Sequence, residues 1–148
     1  MTRRFGEAVR TGQRYLRRPG IYALLPLGGR VLTTFQEDPK PEFQLPGGGI
    51  DPGEQPMAAL HREVLEETGW RIAPLRRLGV FRRFTYMPEY DLWAEKICTV
   101  VLARPVRRLG PPQEKGHSAV WLDAEEALSL LGNQGDAHFA ARARAQQL

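Results

Sequence analysis

The segment Gly47-Gly48-Gly49-Ile50-Asp51-Pro52-Gly53-Glu54-Gln55-Pro56-Met57-Ala58-Ala59-Leu60-His61-Arg62-Glu63-Val64-Leu65-Glu66-Glu67-Thr68-Gly69-Trp70 constrains the fold more than any other part of the chain. Pro56 suits the first position of a helix, where its missing N–H costs nothing, and Gly69 suits the left-handed residue that ends one. The spacing predicts a helix from Pro56 to Thr68 with Met57, Leu60, Val64 and Thr68 turned to a core. At about 100° per residue, Glu63, Glu66 and Glu67 fall within one arc of about 100°. Three like charges on one face repel, whereas a solvated face normally mixes signs. Oxygen-only ligands on a rigid helix suit a hard divalent cation, Mg²⁺ or Mn²⁺, which relieves that repulsion. Glycines ahead of the helix let backbone approach a ligand, which brings the Gly48 carbonyl into reach of the same ion. Arg62 stands beside the acidic arc with Glu66 as its i+4 neighbour, so it is expected to hold Glu66, or Glu54 from the preceding loop, in place.

The rest of the chain supplies the frame. Ile21 to Leu27 reads as a strand, Gly28-Gly29 as a hairpin turn, and Arg30 to Gln36 as the returning strand. Asp38-Pro39-Lys40-Pro41 is a loop, Phe43 to Leu45 a short strand running into Pro46 and the glycines, and Ile50 to Gly53 a turn. Leu75 to Tyr86, Leu92 to Ala103 and Ala119 to Leu122 read as strands, with Pro105 to Gly116 a loop. Asp123-Ala124-Glu125-Glu126 resembles a capping box opening a helix through Leu131, and Asp136 to Gln146 a final helix. Helices interspersed among strands suggest a mixed α/β sandwich.

At 148 residues the chain fits one domain of roughly 150 residues, and no repeat or low-complexity linker divides it. A hydrophobic share of 42% with 26% charged residues excludes a disordered chain. The lone Cys98 rules out an intrachain disulfide and reads as a small buried hydrophobe. No apolar run approaches the roughly 18 residues of a membrane helix, and no apolar stretch follows Arg3 and Arg4, so a cytoplasmic protein with no membrane partner is expected. The net charge of +4 permits phosphorylated small molecules, nucleic acid or anionic lipid as partners. Arg3, Arg4, Arg10, Arg14, Arg17 and Arg18 make residues 1–18 a basic segment, read as a solvated strand or helix. Without an interleaved aromatic ladder it does not read as a nucleic-acid arm.

Residues 48–70 resemble the Nudix hydrolase signature G-x5-E-x7-R-E-U-x-E-E-x-G-U, where U is bulky and apolar. Gly48, Glu54, Arg62-Glu63, Val64, Glu66-Glu67, Gly69 and Trp70 fill every position, with Trp70 a less usual final residue. Seven of these positions demand one residue type each, so a chance match is on the order of one in a billion. The strand order places the wider resemblance over residues 19–131. It implies an α/β/α sandwich with a mixed sheet and hydrolysis of a nucleoside diphosphate linked to a group X, with a small-molecule nucleotide as partner. By motif position it makes Glu63, Glu66, Glu67 and the Gly48 carbonyl metal ligands, with Glu54 and Arg62 as support. Glu63 or Glu66 is the first choice for general base and Glu114 the outside candidate, with His117 a structural residue or a helper.

Substrate-binding candidates are Arg82, Arg83 and Tyr86, which can contact phosphate or stack on a base, and Gln44 beside the glycine run. Tyr86 and Pro88 lie 16 and 18 positions after Trp70, where a tyrosine resembles diadenosine polyphosphate hydrolases and a proline ADP-ribose hydrolases. The layout of Leu45-Pro46-Gly47-Gly48-Gly49 and Val120-Trp121-Leu122 is also similar to diadenosine and diphosphoinositol polyphosphate hydrolases. Gly47-Gly48-Gly49 departs from the Gln-Gly-Gly of the RNA 5′-pyrophosphohydrolase branch, which stays an alternative. A nucleotide-binding regulator without catalysis is the other, and the complete acidic set counts against it. Oligomeric state stays open, a homodimer included.

Overall fold

Two long strands with alternating inward and outward side chains carry the architecture. The structure, a computed structural model, describes residues 2–145. Its elements are β1 (Arg3–Gly6), β2 (Leu16–Leu24), β3 (Pro26–Leu27), β4 (Arg30–Gln36), β5 (Glu42–Gln44), β6 (Gly47–Gly49), α1 (Pro56–Thr68), β7 (Trp70–Met87), β8 (Leu92–Arg108), β9 (His117–Asp123), α2 (Ala124–Leu130) and α3 (Gln134–Ala145). A mixed sheet runs in the order β1-β7-β8-β2-β6, with β1 parallel to β7 and β2 parallel to β8. In a second sheet β4 is antiparallel to β3, β5 and β9.

Both faces of the mixed sheet are covered, which makes the α/β sandwich expected from the sequence. On one face Ile21, Ala23, Val101 and Ala103 pack with Ala59, Leu60 and Val64 of α1. On the other, Leu24, Phe81, Val100 and Leu102 pack with Phe139, Ala140 and Ala143 of α3. The Phe139 ring stacks on Phe81 with centroids 6.0 Å apart. Cys98 is buried in this second cluster, and burial pushes its thiol up to about 12. Among the described residues no helix is long and apolar enough to cross a membrane.

Several elements differ from the sequence reading. Ile21 to Leu27 is two strands, because the chain leaves the mixed sheet at Leu25 and joins the second at Pro26. The strand after α1 begins at Trp70 rather than Leu75; Pro74 is accommodated by a register shift between Pro74 and Arg76. Its partner runs on through Pro105 to Arg108, shortening the following loop to residues 109–116. The glycine run forms β6, antiparallel to β2. Met57 lies in the first turn of α1 and is 43% exposed, so it is not part of the core, whereas Leu60, Val64 and Thr68 are buried. Asp123 makes no capping hydrogen bond; its carboxylate faces Arg30 at 3.9 Å. α3 begins at Gln134, and Gln146 lies outside the described residues.

Phe139 fastens α3 to the sheet, and truncation leaves a void that the neighbouring rings cannot fill. Phe139→Ala is expected to cost about 3–5 kcal/mol, whereas Met57→Ala stays within about 0.5 kcal/mol of wild type. Denaturant unfolding of both variants checks this; equal losses would contradict the packing described.

Candidate active site

The helix α1 ends beside β6, and this approach builds the site. A Cβ at Gly48 would stand 2.6 to 2.8 Å from the carboxyl atoms of Glu63, so a side chain there would displace that carboxyl from its present place. One residue earlier, the Gly47 N–H donates to Glu67 Oε1 at 2.9 Å. Gly69 ends α1 at φ 77°, with its N–H on the Leu65 carbonyl. The Gly110 carbonyl lies against the place a Gly69 Cβ would take. The same loop is pinned to the helix by the Gln113 and Glu114 N–H groups, both donating to the Glu66 carbonyl at 2.8 Å. Glu114 is thereby brought to the cleft that Gly48 and Glu67 line.

Arg62 bridges three of the acidic groups. Its Nε and Nη2 donate to the two oxygens of Glu54 at 2.8 and 3.0 Å, a bidentate pair. Its Nη1 reaches Glu63 at 3.1 Å and Glu66 at 3.4 Å. Glu54 also accepts from the Asp51 N–H at 3.1 Å. The Arg62 hydrogen bond holds the Glu54 carboxyl below the usual carboxylate range. Both roles weighed for Arg62, towards Glu54 and towards Glu66, are therefore filled at once.

Burial works the other way at the two inner glutamates. Desolvation raises Glu63 despite Arg62, with Glu66 adding to the rise. Glu67 is raised well above the carboxylate range, first by burial and then by Glu63 and Glu114, against the Gly47 hydrogen bond. His117 Nδ1 lies 2.8 Å from Thr34 Oγ1 and 3.7 Å from Glu67 Oε2. Burial lowers the His117 ring below its ordinary value, which disfavours the charged form beside Glu67.

Among the described residues no three acidic or histidine side chains already converge as a cation cage. Glu63 and Glu66 are turned to Arg62 and Glu67 to a backbone N–H instead. The donor set still fits a hard cation. It is all oxygen, and burial and mutual repulsion make the ionised state of Glu63 and Glu67 costly, a cost that a bound cation removes.

The cleft has a volume of about 310 Å³ and lies between the two sheets. Gln44 lines it, with its Nε2 on Glu42 Oε1 at 2.6 Å. Arg82 and Tyr86 do not. Arg82 Nη1 donates to Glu95 at 3.3 Å, and Glu95 also faces Arg17 at 3.6 Å. The Tyr86 hydroxyl donates to Asp91, and its ring lies against Trp93. Strand alternation gives the reason: from Gly79 onward the odd positions of β7 face the cleft, so Phe81, Arg83 and Met87 line it and the even ones point away. Opposite them Lys96 and Cys98 of β8 face inward, with Tyr22 of β2 and Asp136 of α3. Of the neighbours Arg82 and Arg83, both named from the sequence, only Arg83 lines the cleft, and sequence reasoning missed Lys96 and Asp136. The signal that separates Arg83 from Arg82 and finds Lys96 is the period of two along β7 and β8, once its phase is known; Asp136 lies on α3, outside that pattern. A larger apolar cavity of about 450 Å³ lies beside α3, and no residue of the acidic helix lines it.

The acidic helix of this α/β sandwich thus meets the glycine strand at a polar cleft. The chain belongs to the Nudix hydrolase family: the NUDIX domain model matches residues 15–143. An RNA pyrophosphohydrolase of Bartonella henselae is 35% identical over 130 residues, covering 71% of each chain. A putative 8-oxo-dGTP diphosphatase of Bacillus subtilis is 43% identical over 53 residues, and the match spans only 36% of either chain. Among solved structures, a NUDIX hydrolase from Nitrosomonas europaea superposes with a TM-score of 0.72 at 18% identity, covering 88% of this chain and 90% of that one. The MutT protein of Methanosarcina mazei Go1 gives 0.70 at 21% identity, covering 92% and 99%.

Asp136 yields a pH prediction. Burial raises its carboxyl from 3.8 to about 6, against the Leu45 N–H that donates to it at 3.1 Å. The folded chain therefore binds more protons than the unfolded one between those values. The stability this lends is complete below pH 3.8 and is lost as pH rises through about 6, a change of about 3 kcal/mol. Asp136→Asn is expected to gain on wild type in melting temperature between about pH 4 and about pH 8. A gap that stays constant with pH would contradict this.

Proposed function

We propose that the chain is a divalent-metal-dependent hydrolase that splits the pyrophosphate of a nucleoside diphosphate linked to another group X, by attack of water on phosphorus. The observation that carries this is the meeting of Glu63 and Glu67 with the Gly47–Gly49 strand at the cleft wall. Glu63, Glu66, Glu67 and the Gly48 carbonyl would hold the cation, Mg²⁺ or Mn²⁺. When bound, the ion neutralises phosphate charge and activates water. The protein's own part is positional. Arg62 and Glu54 fix the face of α1 from which the glutamates project, and the Gly48 backbone admits the phosphates. A carboxylate of raised proton affinity takes a proton more readily, which keeps Glu63 as a candidate base beside Glu66 and Glu114.

A second reading, cleavage at the 5′ end of RNA, is favoured by the relative in Bartonella henselae. It is also supported by Arg18 at the cleft, its guanidinium 4.9 Å from the Tyr90 ring centroid. A steep fall of oligoribonucleotide affinity with salt would favour it over a small nucleotide.

Glu66→Gln and Glu67→Gln are expected to lower turnover by orders of magnitude with circular dichroism unchanged, and full activity in both would contradict the assignment. Chelator is expected to abolish turnover, with Mg²⁺ or Mn²⁺ restoring it. Turnover undiminished in excess chelator would rule out metal catalysis. A panel of nucleoside triphosphates, 5′-triphosphorylated RNA, ADP-ribose, dinucleotide polyphosphates and nucleotide sugars, with products identified by mass, reads out the bond and the group. No phosphorylated product from any of them would end the proposal.

A further inference from the structure

Arg83 on β7 and Lys96 on β8 are register partners, and both line the cleft. They are cations side by side. Burial depresses the Lys96 ammonium, and Arg83 depresses it further. Neither side chain makes a hydrogen bond or an ion pair to another described residue. Asp136 and Glu89 exert a favourable pull on Lys96, yet neither lies within ion-pairing distance. Asp136 Oδ2 accepts from the Leu45 N–H instead. Arg82, next in sequence, has found Glu95 on the other face. A half-buried pair of like charges that makes no ion pair with a described residue costs stability, only partly offset by Asp136 and Glu89, and an arriving anion removes that cost. The same cleft is lined by Gly48 and Glu67, so it is acidic where α1 meets it and basic where β7 and β8 meet it.

We propose that Arg83 and Lys96 form an anion subsite for a phosphate of the substrate beyond those that lie at Gly48. The chain then favours substrates whose X carries negative charge, as in a triphosphate, over those whose X is neutral, as in a nucleotide sugar. This rests on the hydrolase reading for its location in the reaction but not for its test. The shared chemistry is a polyphosphate chain, whether from a free nucleotide or from the 5′ end of RNA.

The test is calorimetric binding of inorganic tripolyphosphate to the whole chain in chelator. Arg83→Gln and Lys96→Gln are each expected to weaken binding about tenfold or more, because each removes a charge-assisted contact. Arg83→Lys and Lys96→Arg, which keep the charge, retain most of the affinity. Arg107→Gln, an exposed residue outside the cleft, binds as wild type. Equal affinity in wild type and both glutamine variants, or no binding by wild type at millimolar ligand, overturns the proposal. Repeating the titration with ATP and with a 5′-triphosphorylated oligoribonucleotide distinguishes the sources: tighter, more salt-dependent binding of the oligoribonucleotide assigns the subsite to RNA ends, and equal binding assigns it to nucleotides. If wild type binds through Arg83 and Lys96 yet hydrolyses nothing, the hydrolase reading fails and the subsite stands. Hydrolysis with unaltered binding in both glutamine variants gives the reverse.

Discussion

The contact between the Gly48 backbone and the Glu63 carboxyl is the constraint on which the site depends. Any side chain at Gly48 would occupy the space that the carboxyl fills. The contact requires β6 to pair with β2 and α1 to lie across the end of that pair. The β2–β6 register, with Ile21 opposite Gly48, and the burial of Leu60 and Val64 under Ile21 secure both. Fold and site are therefore held by the same few residues, with apolar packing on one side of α1 fixing where its charged side comes to rest.

That charged side is a balance of opposing terms. Burial and mutual repulsion disfavour ionised Glu63 and Glu67, while Arg62 and the Gly47 N–H favour it. Arg62 gives two donors to Glu54 and shares one between Glu63 and Glu66, while Glu67 has the Gly47 N–H, so burial of Glu63 and Glu67 is only partly compensated. Across the cleft, Arg83 and Lys96 carry the opposite demand. Under the proposed function, a phosphoanhydride accompanied by a cation would satisfy both.

The acidic helix was legible in the sequence because its signals are local. Proline at the start, glycine at the end and the i+3 and i+4 spacing of the glutamates act within a few residues, and the helix runs over the bounds they predict. The pairing of Arg62 with Glu54 was legible for the same reason. The lining contributed by strands was not. Register shifts between Pro74 and Arg76 and between Arg77 and Gly79 reset the phase of β7, and a one-residue slip exchanges its two faces. Arg82, Arg83 and Tyr86 were named together on their chemistry, and only Arg83 lies on the cleft side of that slip. The extension of β7 and β8 past Pro74 and Pro105 was hidden likewise, since local propensity reads proline as an end and only the partner strand shows where a bulge admits it.

The proposed function depends on Glu63, Glu66 and Glu67 jointly binding a divalent ion. Titration of Mn²⁺ into the chain, followed by electron paramagnetic resonance, measures this without any substrate. The account predicts saturable binding by wild type that is lost when all three glutamates are replaced by glutamine. Equal Mn²⁺ binding by the wild-type and triply substituted chains would contradict it.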